Sequence, residues 1–255
     1  MSVNVILQAR FSSTRLPGKV LKEIVNKPML ALQIERIKTA KLIDNIIIAT
    51  SIEQDDDAIA NLCAKLDIPC FRGNLNDVLD RFYHSAKQFP SDHVVRLTGD
   101  CPLIEPEIID QVITLHLKQG ADYTSNCFIP CLPDGLDVEV FTKEALTQSW
   151  QQAKKPSERE HVTQYILNHS KLFTLANFQY SPDLSMHRWT VDEPNDFKFV
   201  EKIYQNLYQN KPKFTMKDVL ILLEQQPKLI EINNEFSRNQ GLNESKAFDK
   251  EQGFE

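Results

Sequence analysis

Arg10, Arg15 and Lys19 fall within ten residues of one another, interleaved with the hydroxyls of Ser12, Ser13 and Thr14 and with no acid among them. Three cations and three hydroxyls beside free backbone N–H groups suit a polyphosphate. The group follows Val3 to Leu7, an apolar run that reads as a buried first strand, and contains Pro17-Gly18, which breaks any regular element. The stretch from Gln8 and Ala9 to Lys19 is therefore expected to be a loop at the carboxyl end of a strand, where open α/β sheets bind ligands. By composition alone it also reads as a basic surface turn. It is not the phosphate loop of the common NTPases, because Ser13 and Val20 stand where that motif needs a glycine and a hydroxyl residue.

Two aspartates at expected strand ends are the next groups with chemistry to offer. Asp100 lies in Thr98-Gly99-Asp100-Cys101-Pro102, after the strand His93 to Leu97. It reads either as a turn-former or cap before Pro106, or as a magnesium ligand, since Mg²⁺ takes few oxygens from protein and the rest from water and phosphate. Asp192 closes Trp189-Thr190-Val191, whose Trp189 and Val191 look buried, and precedes a helix opened by Pro194. Capping that helix is its alternative role. In Leu136 to Phe141 a period of two sets Asp137 and Glu139 on one face and Leu136, Val138 and Val140 on the other. Ser157 and Glu160 have the spacing of a capping box, and His161 follows them on the same helix.

The elements that must position these groups alternate. Helices are expected after Lys27-Pro28 and over Ser51 to Lys65, with strands at Asn45 to Thr50 and Pro69 to Phe71. A further helix starts near Asn74 or Asn76, and others cover 108–118, 143–153, 197–208 and 216–224, the last capped by Thr215. Asp122 to Asn126 and Phe173 to Phe178 read as strands. This βαβαβ rhythm predicts an α/β fold with a mostly parallel sheet and right-handed crossovers. At 255 residues and 42% hydrophobic, the chain can bury one sizeable core or two small ones. Residues 1–232 are expected to form one domain, and 233–255 an extension whose polar end, 244–255, reads as disordered. A net charge of -6 argues against a nucleic-acid binder. The five scattered cysteines fit reduced cytoplasmic thiols, and neither a secretion signal nor a membrane-spanning run is visible.

The string Gln8-Ala9-Arg10…Ser13-Thr14-Arg15-Leu16-Pro17-Gly18-Lys19 resembles the nucleotide-binding motif of the CMP-sugar synthetases, the 3-deoxy-manno-octulosonate and acylneuraminate cytidylyltransferases. It is most similar to their spore-coat-polysaccharide branch, from which it departs at Phe11-Ser12, where that branch has a glycine near position 12. Arg72-Gly73…Asp77-Val78-Leu79-Asp80-Arg81, Gly99-Asp100-Cys101-Pro102, Pro133 to Phe141, Arg159-Glu160-His161-Val162-Thr163 and Thr190-Val191-Asp192…Pro194…Asp196-Phe197 resemble further segments of that branch. So does Arg238-Asn239-Gln240-Gly241, with Gln240 in place of a glutamate. The resemblance covers roughly residues 3–245.

It implies a Rossmann-like nucleotide-diphospho-sugar transferase fold, with helices on both sheet faces and a smaller inserted β/α segment at 127–190 that serves the acceptor and a homodimer. It implies CTP on Gln8, Ala9, Arg10, Ser12, Ser13, Thr14, Arg15, Lys19, Arg72, Gly73, Asp77, Arg81, Thr98 and Gly99. Magnesium falls to Asp100 and Asp192, and a sugar acid to Asp137, Glu139, Glu158, Arg159, His161 and Arg188. The implied reaction is attack of a sugar hydroxyl on the α-phosphorus of CTP, with Arg10, Arg15, Lys19, Asp100 and Asp192 as the catalytic set and no dedicated general base. The alternatives are a pyrophosphorylase of the same fold using another nucleotide, and an inactive nucleotide-sugar-binding module.

Overall fold

Apolar alternation along the first strand sets the centre of the fold. In β1 (Val3–Gln8), Val5 and Leu7 enter one core and Ile6 enters another on the opposite face. The computed structural model describes residues 1–235, 238 and 240–254. After β1 come a short hairpin, β2 (Glu23–Ile24) and β3 (Lys27–Pro28), then α1 (Met29–Ile37), β4 (Asn45–Ser51), α2 (Asp57–Lys65) and β5 (Cys70–Gly73). The chain continues through α3 (Val78–Gln88), β6 (His93–Thr98), α4 (Pro106–Gln119), β7 (Tyr123–Ser125) and β8 (Glu139–Thr142). Next are α5 (Lys143–Gln152), α6 (Pro156–Glu160), α7 (Gln164–Asn168) and β9 (Leu175–Asn177). Last come α8 (Pro194–Leu207), α9 (Met216–Gln225) and α10 (Gln240–Glu251).

Among the described residues the main sheet runs β5-β4-β1-β6-β8-β7-β9. Its first four strands are parallel, β8 is antiparallel to both neighbours, and β9 lies parallel to β7. One core takes α1, α2, α4, α8 and α9, and the other α3, α5 and α7. Each aliphatic side chain fully buried there contributes roughly 1.5–3 kcal/mol, more than a typical helix cap, so the two cores set the fold and the caps adjust it. The mostly parallel sheet with helices on both faces is the architecture the sequence implied. No helix among the described residues is long and apolar enough to cross a membrane.

Several local expectations change. Strand β4 runs on through Ser51, whose backbone N–H and hydroxyl both bond Asp56, so α2 starts only at Asp57. Pro28 both ends the β2–β3 hairpin and is the N-cap of α1, one position ahead of the first turn where it was expected, with Val25 and Asn26 in left-handed backbone at the hairpin's turn. Asp77, not Asn74 or Asn76, caps α3 by accepting from the Asp80 N–H at 2.9 Å. In α6 it is Glu158 that accepts the N–H groups of Lys154 and Lys155, while Ser157 turns to Asp249. Asp192 ends an extended segment that is not a strand, and Glu193 is the N-cap of α8. The expected disordered end is helical through Glu251, because buried Asp249 ties α10 to α6. Asn239, part of the C-terminal resemblance, lies outside the described residues.

Candidate functional site

Gln8 at the end of β1 pairs with Ala49 of β4 on one side and Thr98 of β6 on the other. The strand order reverses at this point, so the segments leaving β1 and β6 diverge and open a crevice. The loop after β1 is closed on itself. The carbonyl of Phe11 accepts from Ser13 and Gly18 N–H, both at 2.8 Å, and Phe11 N–H donates to Asp56 at 2.6 Å. Gly18 has φ +67°, and a Cβ there would meet the Phe11 ring at 2.8 Å. The aromatic residue that departs from the resembling branch therefore packs on the loop's own glycine. Ser12 beside it is exposed.

That loop delivers Lys19 to the crevice floor, where only 8% of it is exposed. Its Nζ donates to Val191 O at 2.7 Å and to Asp192 Oδ1 at 2.9 Å, and lies 3.4 Å from Asp100 Oδ2. The two aspartates, 92 positions apart, thus face one ammonium, and the Val191 N–H donates to the Asp100 carbonyl at 2.8 Å to hold their segments together. Desolvation pushes the Asp100 carboxyl up, but the Lys19 ammonium and hydrogen bonds from Thr98 and Cys101 outweigh it and hold it below its usual range. Desolvation lowers Lys19, and the two carboxylates raise it above the ordinary lysine value, so both partners stay charged. Arg15 reaches Asp192 at 3.4 Å and Glu193 at 3.3 Å from the rim. Arg10 is exposed and makes no hydrogen bond or ion pair among the described residues.

The opposite wall depends on a close backbone approach. Gly135 has φ +106°, and a Cβ on it would come within 2.5 Å of Thr190 N and 2.6 Å of Trp189 C. The loop bearing Asp134 and Asp137 can therefore lie flat on the segment that leads to Asp192. Arg188 bonds Asp196 at 2.8 and 2.9 Å, Asp134 at 3.2 Å and Asp192 at 3.4 Å. Arg238 holds Asp137 at 2.6 Å and Asp134 at 3.6 Å. Burial and the neighbouring Asp137 push the Asp134 carboxyl up to about 7 against the pull of those two arginines. Deeper in, Glu139 pairs with Arg96 and accepts from Tyr123 at 2.7 Å and Thr163 at 2.6 Å.

Most of these groups line one cavity of about 650 Å³, which Arg238 meets only through its partners Asp134 and Asp137. Gln8, Ala9, Arg10, Ser13, Thr14, Arg15 and Lys19 enter it from the first loop, Thr98, Gly99 and Asp100 from the end of β6, and Arg81 from α3. Asp137, Glu139, His161, Arg188 and Asp192 form the remainder of the expected set that lies there. Arg81 is fully buried, donates to the Asn74 and Leu75 carbonyls, and leaves its Nε without a partner. Burial first, and Arg10 second, push its guanidinium down to about 10.

Six expected residues do not line the cavity. Besides Ser12, Arg72 turns to Asp57 and the Ser51 and Glu53 carbonyls, and Gly73 packs against Phe71 and Arg81. Asp77 caps α3 and takes a fork from Arg159 at 2.6–3.0 Å, and Glu158 caps α6. The Asp77–Arg159 pair ties α3 to α6. Sequence reasoning missed Arg96 and Asp134 as members of the site, and Arg238 as the cation that pairs with its Asp134 and Asp137. The polar position of Arg96 in an otherwise apolar strand was a signal for the first.

The donor set fits a small hard divalent cation. Asp100 and Asp192 offer carboxylate oxygens to a common point already occupied by positive charge, and Mg²⁺ is commonly held by one or two carboxylates plus phosphate and water. No group of three or more His, Cys, Asp or Glu side chains placed to hold a metal occurs among the described residues, so substrate and water would supply the other ligands.

A family model described as cytidylyltransferase matches residues 4–223. The spore coat polysaccharide biosynthesis protein SpsF of Bacillus subtilis is 34% identical over 230 residues, 87% of this chain and 94% of that one. A 3-deoxy-manno-octulosonate cytidylyltransferase of Geobacter metallireducens is 35% identical over 113 residues, 44% of each chain. The solved structure of a cytidylyltransferase from Leptospira borgpetersenii superposes with a TM-score of 0.87 at 31% identity, over 93% of this chain and all of that one. A family model over most of the chain, together with relatives of this identity and coverage, shows that this chain belongs to the cytidylyltransferase family.

Proposed function

We propose that the protein transfers a cytidylyl group from CTP to a hydroxyl of a sugar acid, giving a CMP-sugar and pyrophosphate for surface polysaccharide or glycan synthesis. The observation that carries this reading is the convergence of Asp100, Asp192 and Lys19 on one point beneath a cationic loop, in a cavity large enough for a nucleotide and a sugar. The acceptor hydroxyl oxygen forms a bond to the α-phosphorus, the bond from that phosphorus to the bridging oxygen breaks, and the hydroxyl proton passes to solvent. Arg10, Arg15 and Lys19 bind the β- and γ-phosphates and neutralise the charge that collects on the leaving pyrophosphate. Asp100 and Asp192 would hold Mg²⁺, which supplies charge withdrawal from phosphate oxygen and acidifies a bound hydroxyl. The chain's own contribution is positioning, so no side chain is assigned as general base.

The 127–190 segment carries exposed Phe128, Ile129 and Met186, which supports a homodimer formed through it. A reaction that consumes CTP, in a chain whose five cysteines are all free thiols, supports a cytoplasmic setting. The test is incubation with each of the four nucleoside triphosphates, Mg²⁺ and a panel of eight- and nine-carbon sugar acids, read by mass spectrometry and pyrophosphate release. A CMP conjugate formed with CTP alone is the expected product. Sugar-1-phosphate-dependent turnover of UTP or GTP, or CTP binding with no turnover of any acid, would contradict it.

A further inference from the structure

A sugar acid brings a carboxylate into the cavity, and most cations that line it are already committed. Arg159, the side chain whose planar fork suited that carboxylate, is held by Asp77 and the Trp150 carbonyl and lies outside the cavity. Arg96 is neutralised by Glu139 and Arg188 by three aspartates, and Arg238, which does not line the cavity, is paired with two. Arg10, Arg15 and Lys19 belong to the triphosphate loop, and Arg81 sits beside Arg10. Lys246, on α10, remains. It lines the cavity, it makes no hydrogen bond or ion pair among the described residues, and its charge acts on His161 across the cavity wall.

The helix that presents it is firmly placed. Buried Asp249 accepts from both the backbone N–H and the hydroxyl of Ser157, and Ser245 bonds Glu160 at 2.8 Å and His161 Nε2 at 2.9 Å. At its other end Gln240 reaches Arg15 at 3.4 Å. Alpha10 therefore spans the cavity from the first loop to α6, yet it begins 17 positions beyond the last residue that the family model matches. The nucleotide half of the cavity is built within that model and this wall is not.

Resting on the sugar-acid reading above, we infer that α10 is the acceptor-selecting wall and that Lys246 receives the acceptor carboxylate. Phe248 on α10 is 49% exposed and the helix is held largely by polar contacts, so changing an exposed lysine on it leaves the fold intact.

The experiment measures CTP binding and sugar-acid binding separately by calorimetry, with 3-deoxy-manno-octulosonate and its methyl ester as first probes, alongside steady-state kinetics. Lys246→Ala is expected to raise the KM and Kd for the acid about tenfold or more, with CTP affinity unchanged. The neutral ester is expected to lose no more than twofold, and Lys246→Arg to recover most of the acid's affinity. An acid KM within twofold of wild type, or an equal loss of CTP affinity, overturns the assignment. So does a wild-type protein that binds CTP but neither binds nor uses any acid of the panel. Failure to bind CTP at all is a different result, and it counts against the cytidylyltransferase reading instead.

Discussion

Lys19 carries the most specific residue-scale expectation. Its ammonium is buried between the two aspartates, so it is already held at the crevice floor where the charge of a bound triphosphate would be met. Lys19→Ala is expected to lower kcat/KM about 10²–10³-fold, and steady-state pyrophosphate release at saturating Mg²⁺ measures it. Wild-type turnover in that variant would remove Lys19 from the reaction. Gly135→Ala tests the opposite wall, because the new Cβ collides with backbone in a conformation that L residues avoid. A loss of at least about 2 kcal/mol is expected, seen as a melting temperature lower by roughly 4–8 °C. Lys19 and Asp100 could be placed in the crevice because residue type and local breakers identify strand-end loops, whereas Asp192 reaches it from an extended segment outside any strand. Arg159 was misplaced because its partner, Asp77, comes from 82 positions away, and nothing local reveals which cations a fold will neutralise.

At the scale of elements, apolar runs located β1, β4 and β6 to within a residue, since strands with both faces largely covered leave a mostly apolar signal, interrupted here at Asn4 and Arg96. Helix starts were less legible. The helix expected from Ser51 begins only at Asp57, because the Ser51 hydroxyl serves Asp56 while β4 continues through it. Packing between elements also leaves a mark on pH behaviour. Buried His116 of α4 bonds Thr124 of β7 at 3.0 Å and His93 of β6 at 3.0 Å. Burial, then the neighbouring His93, push its imidazole down to about 4. The unfolded chain therefore binds a proton at this site between about pH 6.5 and 4 that the folded chain refuses, and stability falls as pH drops through that window. The loss amounts to up to about 3 kcal/mol. Urea titrations from pH 4 to 7 should show it, and His116→Gln should flatten that limb. An unchanged slope in the variant would assign the acid sensitivity elsewhere.

Across the whole molecule, the doubly covered parallel sheet was legible from the βαβ rhythm, but the closure of the cavity by the C-terminal helix was not. Residues 244–255 are polar and short of apolar periodicity, and α10 is anchored through buried Asp249, a tie that depends on Ser157 lying 92 positions upstream. CTP with Mg²⁺ bridges the first loop, the β6 end and the segment before α8 in the proposed complex. Binding should therefore stabilise the molecule as a unit, by about 2.7 kcal/mol at a hundredfold excess over Kd. Thermal shifts with and without Mg²⁺ check this, and a shift indifferent to the metal would contradict a shared site. The most direct test of that shared site is Mn²⁺ binding in the presence of CTP, followed by electron paramagnetic resonance in Asp100→Asn, Asp192→Asn and the double variant. If both carboxylates hold one ion beside the triphosphate, each single variant loses most of the nucleotide-dependent binding and the double variant is hardly worse. Wild-type Mn²⁺ affinity in either single variant, or losses that simply add, would contradict it.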